Sequence, residues 1–389
     1  MMKAIIQITI REWKRILTLP VHYLVLLVMP ALLFAFYAYI YQARNARDLP
    51  VAIWDDDRSV LSRQFAFMLE QTESIHITRQ VDNQTELETL IRRGEVAGAI
   101  HFPARMERNI KSRHPVYITV YTNAAAIVTA KLIYKDAAQV LMTAGSGVIL
   151  QKLVKLGMPK DKAMTLVQPL KLTSYQLYNP TFNYQQYLVP GLIFVALQMM
   201  IIMVTVLLLN YERKTNTLEE LHQVAKGSAF VAITGKTLAH LVVGWVNFIL
   251  VTGIVLPLFE VGHPAATGTL FVVFTLLVLA CIGIGILVSA IFKDVMVACD
   301  LGLFYTSPAF VFSGFTFPRW AMPWYDQYYA AIMPFTFFLD AFFKVYFMEL
   351  PLRYAYTEMG YILIFIVVTY PLAIILFQRQ LNKLEVQHA

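Results

Sequence analysis

Charge is scarce in this chain. Lys, Arg, Asp and Glu make up 15% of its 389 residues, where an ordinary soluble domain carries about a quarter, so the composition argues against a soluble protein. Cysteine is scarcer still, with Cys281 and Cys299 as the only two, both inside apolar stretches. A disulfide framework or a cysteine-ligated metal is therefore excluded from the polar part of the chain, and the two thiols read as small apolar packing residues. The common catalytic signatures are missing too: no HExxH, paired-cysteine zinc spacing, GxSxG or GxGxxG occurs. Gly235, Lys236 and Thr237 end like a phosphate-binding loop, but Phe230 stands where that loop needs its first glycine, and an apolar run follows. Lys236 reads instead as a basic anchor beside a span.

What the chain has is apolar residues, 58% of the total, with a mean hydropathy of +0.57. A helix crossing the hydrocarbon core needs ~20 mainly apolar residues, because only a closed helical ladder satisfies its own backbone there. Six stretches qualify: 21–41, 184–210, 238–259, 267–292, 295–317 and 359–377, the fifth interrupted by Asp300. The first is too long for a cleaved signal and lacks a small-residue cleavage site after it. Residues 318–356 are rich in Trp, Tyr, Phe and Pro but broken by Arg319, Asp326, Asp340 and Lys344, which suits a re-entrant or interfacial helical pair.

Charge also sets orientation. Short basic segments carry Lys3, Arg11, Lys14 and Arg15 before the first stretch, Arg213, Lys214, Lys226 and Lys236 after the second, and Arg379 and Lys383 in the tail. The loop at 260–266 has no Lys or Arg. Positive loops stay in the cytoplasm, so both termini are expected inside. The block at 42–183 then lies outside; it holds 31 of the 57 charged residues, 18 basic and 13 acidic, and long translocated domains escape the charge rule. Its excess of +5 out of +7 describes one domain and gives no support for nucleic-acid binding.

Within that block LPVAIWDDD, VAGAIHF and PVYITVYT read as strands. Residues 59–72 and 85–93 show helical spacing, the latter opening at Thr85 as a cap, and one long helix is predicted from Ala124 to about Leu156, weakened at Gly145 and Gly147. At the N-terminus, Ile6, Ile10, Trp13 and Leu17 share one helical face and Arg11, Lys14 and Arg15 the other. Such a helix lies in the interface plane or simply anchors the first span.

The expected fold is therefore an α-helical integral membrane protein: six transmembrane helices plus re-entrant or interfacial helices, with an inserted mixed α/β extracytoplasmic domain. In order come an interfacial elbow helix at 1–20, the first span at 21–41, the outer domain at 42–183, spans two to six at 184–377, and a tail at 378–389. A cytoplasmic loop occupies 211–236 and the re-entrant segment 318–356. Asp300 is a functional suspect, since a charge in a span costs at least about 2.5 to 3.5 kcal/mol, although its closeness to Lys293 and Asp294 also allows a hydrated place near the interface. Asp326 and Asp340 complete the carboxylates on which a membrane enzyme would depend.

The loop YERKTNTLEELHQVAKGSAFVAITGK reads as a short amphipathic helix, with Glu212, Glu219 and Glu220 among basic residues, followed by a break at Gly227. Together with REWKR before the first span, VAIWDDDRSVLSRQF opening the outer block, NPTFNYQQYLVPG entering the second span and SGFTFPRWAMP after the fifth, it resembles the ABC-2 type transporter permeases, in the branch with a large extracytoplasmic domain. The resemblance implies the membrane subunit of an ABC exporter in a bacterial inner membrane. Its partners would be separate cytoplasmic ABC ATPase subunits, a second permease copy or paralogue, membrane lipid and a periplasmic adaptor, with no nucleic acid. It also implies that this chain binds no cofactor, since ATP sits on the partner ATPase, and that it is not itself an enzyme.

By the same resemblance Glu212, Arg213, Lys214, Thr217, Leu218 and Glu219 form the coupling helix against the ATPase, with Arg11 and Trp13 of the elbow nearby. Asp300, Ser313, Gly314 and Phe315 are pathway or gating candidates. Changing Glu212 or Glu219 to Lys is expected to uncouple transport without unfolding the protein. The chain departs from the family in lacking a proline near Ala225, a Glu near Ala232 and a glutamine-rich start to the fifth span, where KDVMVACD stands. A surface receptor or adhesion protein with a ligand-binding outer domain is the alternative; Pro30, Pro190, Gly191, Gly283 and Gly285 inside the spans exceed what an anchor needs.

Overall fold

Helices carry the apolar runs, as a backbone without water to bond requires. The computed structural model describes residues 1–41, 47–112, 114–168, 177–178, 183–261 and 267–388. They fall into two units, one built from Met1–Arg44 with Leu177–Ala389 and the other from Asn45–Gln176. The basic-free loop at 260–266 and the approach to the second span at 169–182 lie largely outside the described residues.

Among the described residues, six helices are long and apolar enough to cross a membrane. Five cover the expected second to sixth spans: Gln185–Lys214, Ala229–Leu258, Thr267–Ile291, Val295–Phe312 and Leu352–Lys383. The sixth, Ile127–Lys155, belongs to the inserted unit, where Ile133 and Ala137 sit in a core of their own. The expected first span is helical over residues 20–40, but a π-helical turn at Leu24–Val28 interrupts it and leaves Leu24–Ile40 as a shorter apolar helix. Pro30 follows that turn and has no N–H to give the helical ladder; Met29 N–H bonds back to Leu24 O, one residue beyond the α-helical spacing.

Thr267–Ile291 is the central helix, packed against Tyr184–Lys214 on one side and Tyr356–His388 on the other. Phe194, Phe274, Phe335, Phe338 and Phe342 interlock at its centre, all fully buried. Residues 318–356 fold as the bent pair expected, Trp324–Ala331 and Pro334–Phe347 meeting at 86°. Three of the charges that break this segment are paired: Arg319 with Asp340, and Lys344 with Glu358 at 2.6 Å. Asp326 instead opens the helix Trp324–Ala331, in its first turn, where a negative charge is favourable.

The inserted unit is a four-stranded sheet ordered β2-β1-β3-β4: β1 is Leu49–Asp55, β2 Ile75–Val81, β3 Gly98–Phe102 and β4 Thr119–Thr122. β1 runs parallel to both β2 and β3, and β4 closes the sheet antiparallel to β3. Three strands match the predicted ones. β2 escaped the sequence reading because only Ile75 and Val81 of IHITRQV are buried, so no alternation marks it. The helix Gln84–Arg92 is capped by Asn83, whose side chain accepts from Glu86 N–H at 2.8 Å, and not by Thr85; the extended backbone of a cap falls at Asn83. The long helix runs unbroken through Gly145 and Gly147.

Candidate functional site

The helices Met2–Thr18, Tyr184–Lys214 and Ala229–Leu250 meet in a knot of charge. Glu212 lies at its centre, fully buried near the end of its helix. Arg11 clasps both its oxygens at 3.0 Å, a two-pronged contact that suits a guanidinium. Arg15 reaches Oε1 at 2.7 Å, Lys236 Nζ reaches the same oxygen at 2.7 Å, and Thr217 Oγ1 donates to Oε2 at 2.5 Å. A second buried carboxylate, Glu12, pairs with Lys236 and takes Arg15 at 3.1 Å. Arg11 extends the network to exposed Glu220 at 3.3 Å. Three cations therefore face three carboxylates, so the buried charges are paired, as burial requires, while Glu12 Oε2 has no hydrogen-bond partner among the described residues.

Burial alone would push the Glu12 carboxyl up, but the Lys236 ammonium and the Arg15 guanidinium outweigh it and hold Glu12 below the usual carboxylate value. For Arg15 burial lowers and the bonds to Glu212 and Glu12 raise, and the bonds prevail. The guanidinium of Arg15 also lies over the Tyr211 ring, 4.5 Å from its centroid.

The helices approach closely where the charges meet. Gly235 lies against Ile8 and the carbonyl of Ile5, so a Cβ there would fall 2.7 Å from Ile8. Thr9 Oγ1 donates to Gly235 O at 3.1 Å. The GKT sequence that ends like a nucleotide loop thus serves a helix contact: Gly235 permits it and Lys236 neutralises it. Lys236, expected at the end of the loop as a basic anchor beside a span, is fully buried inside the helix. The helix begins at Ala229, capped by Ser228, which draws Gly235 to Thr237 out of the loop.

The N-terminal helix is amphipathic on different terms from those expected. Ala4, Ile8, Glu12 and Ile16 face the protein, while Ile6, Ile10 and Leu17 are about half exposed. Its outward apolar stripe suits the membrane interface, and its inward stripe holds the charge. Trp13 packs beside Ile16, Leu26, Val204 and Val243 as part of an apolar layer.

The coupling-helix residues separate. Glu212 and Thr217 belong to the buried knot. Arg213 turns away, bonded to Asn210 at 2.5 Å, the Ser289 carbonyl at 2.8 Å and Gln380 at 2.5 Å, and so ties three helices. Leu218 packs on the main core, and Lys214 and Glu219 are exposed. The loop helix is Leu218–Val224, and Lys226 and Gly227, both at positive φ, turn the chain after it. That turn needs no proline at Ala225; Ala225 and Ala232 are buried in the core, where the family's Pro and Glu would crowd.

The gating candidates are not gathered at one place. Asp300 is exposed on Val295–Thr306 among exposed Met296, Val297, Leu301 and Phe304, opposite buried Ala298 and Gly302. Ser313 and Phe315 are buried; Phe315 stacks on Tyr187 at 4.8 Å and Phe343 at 5.9 Å, and its carbonyl accepts from the Tyr187 hydroxyl. Gly314, at φ +92°, lies against the Arg319 side chain. Sequence reading missed Arg15 and Lys236 as partners of Glu212, and Glu12 as the second carboxylate that shares them. The signal was Lys236 inside an otherwise apolar helix, where an unpaired charge is not tolerated; Glu12 gave none, in a helix that also carries Lys3, Arg11, Lys14 and Arg15.

A sequence model of the family described as ABC-2 family transporter protein matches residues 23–375. The chain is 22% identical over 370 residues to the probable multidrug ABC transporter permease YbhR of Escherichia coli K12, covering 95% of this chain and 94% of that one. The same figures hold for the protein of that name from Escherichia coli O157:H7.

Proposed function

Since this chain belongs to the ABC-2 family of transporter proteins, we propose that it is the permease of an ATP-driven exporter, worked by ATPase subunits on separate polypeptides. The chain is a multi-pass membrane protein. In this reading both termini and the loop helix face the cytoplasm, and residues 42–183 face outward. The membrane is a bacterial inner one. The relatives' designation as probable multidrug permeases supports small organic compounds as cargo.

One observation carries the reading: the buried knot of Arg11, Glu12, Arg15, Glu212 and Lys236 joins the N-terminal helix to two spans at the foot of the loop helix. A push on the loop from below would meet a rigid joint and move the spans, as energy transfer between polypeptides requires. Exposed Lys214, Glu219 and Glu220 form the surface offered to the ATPase, with Leu218 behind them. Glu212, Thr217, Arg11 and Trp13 brace that surface from within. The exposed apolar face of Val295–Thr306 supports a second permease copy packed there, with Asp300 at the seam. A periplasmic adaptor remains part of the proposed partner set through residues 42–183.

Glu219→Lys tests the coupling. In liposomes with the ATPase, the variant is expected to keep its fold and its basal ATP hydrolysis while ATP-dependent uptake of cargo falls at least tenfold. Undiminished uptake would remove the loop helix from the coupling path. Glu212→Lys is unsuited to this test, because it places a fourth cation in the buried knot.

A further inference from the structure

Along the inserted unit's long helix, Leu141, Gly145, Val148, Ile149, Lys152 and Lys155 lie on one face, at helical spacing. Two adjoining hollows run beside that face, about 530 and 420 Å3, and share Ile110 and Ile149. Together they make one trough. Its first half is walled by Phe65, Val116, Ile118 and Leu141. Its second half ends among Lys111, Lys152 and Lys155; Lys111 is paired with Glu107 at 2.5 Å and Lys152 Nζ donates to the Lys111 carbonyl, so Lys155 is the cation at that end with no protein ion pair among the described residues. Gly145 to Lys155 spans about 15 Å along the helix at 1.5 Å per residue.

Gly145 is the telling residue. It lies inside a 29-residue helix, where glycine costs roughly 1 kcal/mol against alanine, yet no neighbour demands it: a Cβ there would meet nothing within 4 Å. Its missing side chain leaves space in the trough, and the chain gains nothing from that space by itself. The oiled walls and the lysine end complement a molecule with the opposite order, an apolar body and one acidic head.

We propose that this trough is a binding site for a single-chain amphiphile with an acidic head, of the class represented by medium-length fatty acids. The apolar chain lies over Gly145 between Phe65, Ile118 and Ile149, and the head meets Lys152 and Lys155. As a binding site it stands independently of the exporter reading; as a stage for cargo it deepens that reading and rests on it.

The test uses the full-length chain in lipid nanodiscs and a diazirine-bearing twelve-carbon carboxylate, with photo-adducts mapped by mass spectrometry. Adducts are expected on residues 110–118 and 141–149, competed by unlabelled dodecanoate at least tenfold better than by dodecylamine. Gly145→Leu should cut labelling at least tenfold without lowering the unfolding temperature, since leucine is the better helix former. Lys152→Glu with Lys155→Glu should reverse the preference toward the amine. Adducts only elsewhere, unchanged labelling in Gly145→Leu, or a cross-link joining two copies through the trough would overturn the site. Probe added from water and probe preloaded in the lipid are compared, and specific labelling by either route supports the site and identifies its source. Labelling that holds while ATP-driven transport fails would sink the exporter reading alone; transport that holds without labelling would sink this site alone.

Discussion

The two units of this protein use charge in opposite ways. The inserted unit is dense in it, yet its ion pairs lie at the surface: the side chains of Arg58 and Asp82, 3.0 Å apart, are 75% and 82% exposed. The membrane unit has few charges, and at Glu212 it buries one under three cations and a hydroxyl. Water already solvates the first kind, so an exposed pair is worth only about 0.2–1 kcal/mol. The second kind has no such refuge. Removing one partner leaves an unpaired buried charge, at a cost of about 3–5 kcal/mol. Where charges are most numerous they matter least to the fold.

Glu212→Ala should break this contrast most severely. Three cations lose their common partner, and stability is expected to fall by about 3–5 kcal/mol, read as a lowered unfolding temperature in nanodiscs. A loss under about 1 kcal/mol would mean that the knot is no more consequential than a surface pair. Gly235→Leu comes next. Its side chain would strike Ile8, and overpacking of this kind costs about 1–3 kcal/mol; Ile8→Ala in the same chain should recover part of that loss. Failure of Ile8→Ala to help would show that the contact between these helices is looser than described.

Acid sharpens the same comparison. Glu12 has its carboxyl held below its ordinary value of 4.5 by Lys236 and Arg15. A group depressed in the folded state adds stability above its unfolded pKa and loses it as pH falls through the folded one. Unfolding temperature should therefore be level from neutrality to about pH 5 as far as Glu12 is concerned. Below its ordinary value it should drop, and Glu12→Gln should flatten that drop. An equal acid loss in both proteins would remove Glu12 as its source. Arg58→Ala, in the inserted unit, should have the smallest effect, at most about 1 kcal/mol; a larger loss would show that exposure does not separate the two classes of pair.

The bundle was legible because lipid leaves so few solutions. An apolar run of the required length must be a helix, so residues 184–210, 238–259, 267–292 and 359–377 announced themselves, although the third helix starts earlier, at Ala229. Hydropathy stops being informative in two places. Ile127–Lys155 is apolar enough to pass as a span, yet it packs on a sheet, because mean hydropathy does not say which neighbour receives the apolar face. In the N-terminal helix periodicity identified a real stripe, Ile6, Ile10 and Leu17, but that stripe is the exposed one. The inward stripe contains Glu12, which an apolar template discards.

The loop residues teach the same lesson at closer range. Glu212 and Glu219 looked equivalent in ERKTNTLEE, seven positions apart and equally charged. Only Glu212 falls where Arg11, Arg15 and Lys236 converge. Residues 201, 197 and 24 positions away along the chain settle the difference.

By itself the sequence determined that the chain lives in a bilayer, where five of its long apolar helices fall, where the polar domain is inserted, and that any charge within an apolar helix must find a partner. Those conclusions follow from local composition, because the free energy of placing a residue in lipid depends first on the residue. The tertiary structure alone decided which partner each charge found, which face of the N-terminal helix turned inward, and that GKT builds a joint between helices. These are contacts between segments far apart in sequence, and a pairing energy exists only once packing has brought both charges out of water and within about 3 Å of each other.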